Sequence, residues 1–154
     1  MLVWLFVTAL GVPQFLVGLP EAPPVAPTDL VVGRQSVDLR EPLLARTRGA
    51  KLVLFVRDRS ALTASDNAAF EAAVPPGSVT AHLRARDGDD LVLDHTGYAY
   101  YRGFAGLVLS EREPGADNTL YDALEIEAAK ALPRVHFMWL DRAGRRVQDL
   151  PAPR

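Results

Sequence analysis

The chain contains no cysteine. That excludes disulfides, zinc–thiolate centres, thiol nucleophiles and a lipid-modified cysteine behind a leader, and it leaves the redox compartment unmarked. Lysine is nearly missing too: of 17 basic residues only Lys51 and Lys130 are lysine, the rest being arginine. With a formal net charge of -2 there is no basic footprint for nucleic acid or for anionic lipid headgroups. The histidines, His82, His95 and His136, are too few and too scattered for metal-ligand spacing. No G-x-S-x-G, Walker-type loop or H-E-x-x-H occurs, so the usual nucleophile, phosphate and zinc signals are silent. No cofactor and no metal are expected, and a non-enzymatic protein is preferred over an enzyme.

Charge is also missing from one end. Residues 1–20, MLVWLFVTALGVPQFLVGLP, hold no charged side chain before Glu21. At about 1.5 Å per helical residue such a run reaches roughly the 30 Å of a hydrocarbon core. A transmembrane anchor is therefore expected over 1–20, with Pro13 as a tolerated kink. The small residues that follow, Ala22 and Ala26, each precede a proline, Pro23 and Pro27. Proline after the cut is a poor cleavage context, so an uncleaved anchor is preferred to a cleaved leader. Arg34 and Arg40 lie after the span and none lie before it, which favours a cytoplasmic domain. The very short tail ahead of the span, and the ease with which long downstream domains translocate, favour export. We expect a single-pass membrane protein, in the inner membrane if bacterial, with its soluble domain on the periplasmic or extracytoplasmic side. Residues 21–27, with Pro20 before them, form a proline-rich spacer of about 25 Å if extended as polyproline II at about 3.1 Å per residue.

What remains, residues 28–154, reads as one soluble β-rich domain. The whole chain is 49% hydrophobic and 23% charged, a globular balance. Residues 29–39 hold two short apolar runs around Gly33 and Arg34, which suits a bulged strand or two short strands. Pro42 starts a single helical turn within 40–49. Residues 51–57, KLVLFVR, form a continuous apolar run expected to be a central strand buried on both faces. Thr63-Ala64-Ser65-Asp66 fits a capping box ahead of a short helix that Pro75-Pro76-Gly77 stops near Val74. Residues 78–86 alternate cleanly as a half-solvated strand, and Asp87-Gly88-Asp89-Asp90 turns the chain into Leu91-Val92-Leu93. His95-Thr96-Gly97 is read as a second turn, ahead of strands over 98–102 and 104–109. Residues 111–118 are a polar loop, and 120–132 is open between helix and strand, with strand preferred. A last hairpin pairs 135–140 with 145–150 around Asp141-Arg142-Ala143-Gly144.

Short strands with turn signals every eight to twelve residues predict a mainly β fold, an antiparallel β-sandwich of immunoglobulin-like architecture with one short helix. The Cys…Trp…Cys spacing of true immunoglobulin domains is absent. Arg102-Gly103-Phe104-Ala105 matches the opening of the RNP1 motif, but Gly106 and Leu109 stand where stacking aromatics are needed, so no nucleic-acid partner is expected. Asp87, Asp89, Asp90 and Asp94 fail the EF-hand pattern at Leu91 and Val92.

The densest aromatic cluster, Tyr98, Tyr100, Tyr101, Arg102 and Phe104, carries the binding expectation. Tyr98, Tyr100 and Arg102 share one strand face, a composition typical of interface hot spots, although tyrosines also simply suit strands. Two expectations follow: a membrane-tethered, non-enzymatic β-sandwich that binds a protein or envelope component through this Tyr/Arg face, as inhibitor, immunity-type protein or complex subunit; and an envelope hydrolase built on His82, Asp94 and His95.

Overall fold

Period-two alternation makes most of the chain antiparallel β-structure, and odd spacings bend it. The computed structural model describes residues 4–7, 14–17, 28–39, 42–45, 48–56, 59–101, 103–140 and 146–149. Its strands are β1 (Trp4–Val7), β2 (Gln14–Val17), β3 (Thr28–Leu30), β4 (Gly33–Val37), β5 (Leu43–Ala45) and β6 (Lys51–Val56). After helix α1 (Asn67–Ala73) come β7 (Val79–Ala85), β8 (Leu91–Tyr101), β9 (Phe104–Glu111), β10 (Thr119–Ala128), β11 (Leu132–Leu140) and β12 (Arg146–Asp149).

From β3 onward all strands join one 10-stranded sheet in the order β12-β11-β6-β9-β8-β7-β10-β4, with β3 also on β11 and β5 also on β10. Each of these neighbouring pairs runs antiparallel. Only Val31 and Val32 separate β3 from β4, yet β3 pairs with β11 and β4 with β10. This bent segment links the two ends of the sheet into a nearly closed barrel. Gly33, at φ 105°, takes the left-handed backbone that the bend needs.

The interior is filled by alternate residues. Leu52, Leu54 and Val56 of β6, Val79, Ala81 and Leu83 of β7, and Ala105, Leu107 and Leu109 of β9 all belong to one buried cluster. β-bulges break the alternation where the sheet must curve. Register shifts between His95 and Gly97, between Tyr121 and Ala123, and between Leu132 and Val135 let His95 with Tyr98, Tyr121 with Leu124, and Leu132 with Val135 face inward together. The turn predicted at 95–97 is thus a bulge inside a single 11-residue strand. Strand length wins because β8 pairs with β7 at its start and β9 along the rest.

Several expectations need correction and others hold. Residues 43–45 form β5 rather than part of a helical turn, because Leu43 and Ala45 are buried and the segment pairs with β10. The cap of α1 is Asp66, whose carboxylate accepts from the Ala69 N–H at 2.8 Å; Thr63 instead ends a short 3-10 turn. The open segment at 120–132 is strand β10 followed by the start of β11. Strand β6 is buried on both faces, as its apolar run requires.

The structure does not show the expected membrane helix. Within residues 1–20 the described parts are β1 and β2, paired antiparallel with Trp4 opposite Val17 and Phe6 opposite Phe15. Gly11 and Pro13, the residue types least favourable inside a helix, lie between them in the sequence. Among the described residues no helix is long and apolar enough to cross a membrane, which says nothing of strands. The spacer at 21–27 and the turn at 141–144 lie outside the described residues.

Candidate functional site

The bulge at Thr96 decides where the aromatic cluster points. Tyr98 and Tyr100 lie opposite Leu107 and Ala105 of β9, residues whose side chains fill the interior, so both turn to the interior side of β8, where α1 packs against them. There the Tyr98 hydroxyl donates to the Val74 carbonyl at 2.7 Å, and the Tyr100 hydroxyl donates to the Glu71 carboxylate. Their rings stack with centroids 6.5 Å apart. Phe70, the buried residue of α1, meets Tyr98 edge-on at 6.1 Å. Tyr98 and Tyr100 thus lie side by side, and both are occupied in clamping α1. Tyr100 remains 38% exposed, which leaves an aromatic surface beside Glu71. Arg102 lies outside the described residues. Tyr101 and Phe104 take the opposite, outer face together with Ala99.

Both hydroxyls are held protonated. Burial raises the Tyr98 pKa, with the Glu71 charge adding to it. For Tyr100 burial again comes first, followed by the hydrogen bond and charge of Glu71.

Beneath this pair sits a histidine the sequence placed in a hydrolase cluster. His95 is 2% exposed, and neither ring nitrogen has a hydrogen-bond partner of good geometry, although the Gly97 and Pro75 backbones partly offset the effect of burial on its pKa. Its ring stands edge-on to Tyr98 at 5.0 Å. Burial pushes the His95 pKa down, so the neutral ring is the folded form. The unfolded chain takes up the proton more readily than the folded one. Stability contributed by neutral His95 is therefore complete above pH 6.5 and is lost as the pH falls below it. The loss is at most about 1.4 kcal/mol per pH unit, continuing down to the folded-state pKa. Urea midpoints at pH 7.5 and pH 5.5 should separate in the wild type and converge in His95→Leu. An equal separation in both proteins would assign the pH dependence elsewhere.

His82 and His95 are not brought together. His82 projects outward from β7 and His95 inward from β8, so no common catalytic centre forms. Asp94 is also engaged: Arg112 grips it with two hydrogen bonds of 2.7 and 2.8 Å, and Thr80 adds a longer one. The Arg112 hydrogen bonds hold the Asp94 carboxyl below the usual carboxylate range. Of the other aspartates, Asp90 accepts from the Ala85 N–H and so closes the 87–90 turn. No group of side chains suited to a metal ion occurs among the described residues.

The outside of the barrel is divided. Across β4, β10, β7 and β8 it carries charge: Arg34 faces Glu125 and Glu127, His82 lies 3.8 Å from Glu127, Arg86 pairs with Asp122, and Arg112 with Asp94. Across β8, β9, β6 and β11 it is apolar, with Val53, Phe55, Met138 and Leu140 in a cluster separate from the core. The Phe55 ring lies over Gly106, where an added Cβ would meet ring carbons at 2.9 Å. This division escaped the sequence reading, although the unbroken apolar run of β6 signals a second buried face.

Comparison with protein-family models, with curated proteins and with solved structures gives no match.

Proposed function

We propose that the chain is a non-enzymatic binding module, held at a membrane by residues 1–20 and presenting its α1 end to a protein or envelope component. The scaffold is a flattened barrel whose facing layers make a sandwich, and its domain stands on the periplasmic side. Inhibitor, immunity-type protein and complex subunit are all consistent roles for such a module. The observation that carries the reading is Tyr100, a large aromatic left 38% exposed on a rigid strand next to the Glu71 carboxylate. An exposed, immobilised tyrosine supplies contact area at little cost in side-chain entropy. The separation of His82 from His95, and the Arg112 grip on Asp94, weigh against the hydrolase alternative.

The test is photo-crosslinking in membranes that contain the full chain. A benzophenone side chain at Tyr100 should give a discrete adduct that excess unlabelled wild-type chain competes away. The same probe at Glu113, in the polar loop, should give none. An identical adduct pattern at both positions, or no adduct at Tyr100, would overturn the assignment of this surface.

A further inference from the structure

The apolar outer face is buried, and the strands that carry it cannot bury it. Val53 is 0% exposed, Leu140 1%, and Phe55 and Met138 8% each. Val53 alternates with Leu52 and Leu54, which fill the interior, so its side chain projects away from the barrel. In register it is flanked by Met138 of β11 and Val108 of β9, and Phe55 by His136 and Gly106. Neighbours within a sheet shield a side chain from the flanks only. Full burial on a sheet's outer face demands chain stacked on top of it. On the other half of the barrel charged pairs meet water instead.

We propose that this face is the seat of residues 1–20 of the same chain in the membrane-free protein, with the β1–β2 hairpin laid across β8, β9, β6 and β11. Three observations select this occupant. The segment is the one part of the sequence long enough and free enough of charge to match the face; the other end, 141–154, carries Asp141, Arg142, Arg145, Arg146, Asp149 and Arg154. A two-stranded hairpin of apolar residues is not stable alone in water and needs such a surface. Proximity completes the case. The chain enters the barrel at Thr28, which pairs with Val135, and Met138 and Leu140 follow on that same strand. Residues 18–27 can span about 30 Å if extended, at about 3.1 Å per residue, so the segment is confined near its seat at high effective concentration. The proposal goes beyond the binding role and does not depend on it. Seat and bilayer compete for the same residues, because a bilayer requires the backbone to satisfy itself as a helix.

The absence of cysteine makes the test clean. Single-cysteine full-length chains, Met138→Cys on the outer face and Ala81→Cys in the interior, are labelled with a soluble thiol reagent in the absence of lipid. Both cysteines should be protected. Adding Phe6→Asp and Phe15→Asp, which puts carboxylates at an in-register pair of the hairpin, should speed labelling at 138 by about 100-fold, on the scale of local opening energies, and leave 81 protected. Labelling at 138 that is fast in both backgrounds, slow in both, or protected only at high protein concentration would overturn the proposal, the last by assigning the face to a second copy. If the double variant unfolds, a photo-crosslinker at Phe15 in the otherwise wild-type chain decides. Attachment within 51–56 or 135–140 of the same chain supports the seat, and attachment elsewhere or to another molecule contradicts it.

Discussion

Trp139→Ala should destabilise the domain by about 3–5 kcal/mol, the largest effect expected of any single truncation here. Trp139 is 0% exposed and is the largest of the fully buried side chains. Its ring meets Tyr121 of β10 at 6.4 Å, and its Nε1–H donates to the Leu44 carbonyl of β5 at 2.9 Å. Strand β5 hangs on β10, whereas Trp139 belongs to β11. The indole therefore ties together two ends of the sheet that β3 and β4 join elsewhere. Trp139→Phe separates the two contributions, since it keeps most of the packing and leaves the Leu44 carbonyl without its donor, at about 1–3 kcal/mol. Urea unfolding followed by circular dichroism reads both. A loss below about 1.5 kcal/mol for the alanine variant would mean that the gap between β5 and β11 is not packed as described.

Phe70→Ala should cost about 3–4 kcal/mol and act locally. Phe70 is the buried residue of α1, and the seven-residue helix is too short to persist without it. Tyr98→Phe, which removes only the hydroxyl bonded to the Val74 carbonyl, should cost about 1 kcal/mol. Hydrogen exchange distinguishes detachment from global unfolding. The Phe70 and Val74 amides, bonded to the Asp66 and Phe70 carbonyls, should lose protection in Phe70→Ala while those of β6 keep theirs. Uniform loss across both would show that α1 is part of the barrel's cooperative unit and not a separable cover.

Much of the sheet was legible because period-two alternation reports a face directly. Residues 78–86 and 124–128 alternate without interruption, and strands cover 79–85 and 124–128. The core of the run at 51–57, residues 52–56, was legible as buried on both sides because five apolar side chains follow one another with no polar residue between them. Barrel-like curvature was not legible, since it depends on bulges, and a bulge adds one residue without a signature of its own. His95-Thr96-Gly97 resembled a turn because threonine and glycine interrupt an apolar pattern, yet pairing with β9 carries the strand through. The same bulge sends Tyr98 and Tyr100 to the interior side. Shared parity predicted their common face correctly, but not the side of the sheet that face would occupy. Nor could spacing reveal that Asp94 would be taken by Arg112, because that contact joins residues set by the β8–β9 pairing.

The first twenty residues join these lines. In water we propose that they lie on the barrel's apolar side; at a membrane the proposed role for them is that of a tether. Vesicle flotation of the purified full-length chain tests the membrane-held module most directly. The wild type should rise with phosphatidylethanolamine–phosphatidylglycerol vesicles. A Leu5→Arg, Leu16→Arg variant, charged at an in-register pair, should stay at the bottom of the gradient with its near-ultraviolet dichroism intact. A wild-type chain that remains at the bottom, or a charged variant that floats equally well, would contradict the account.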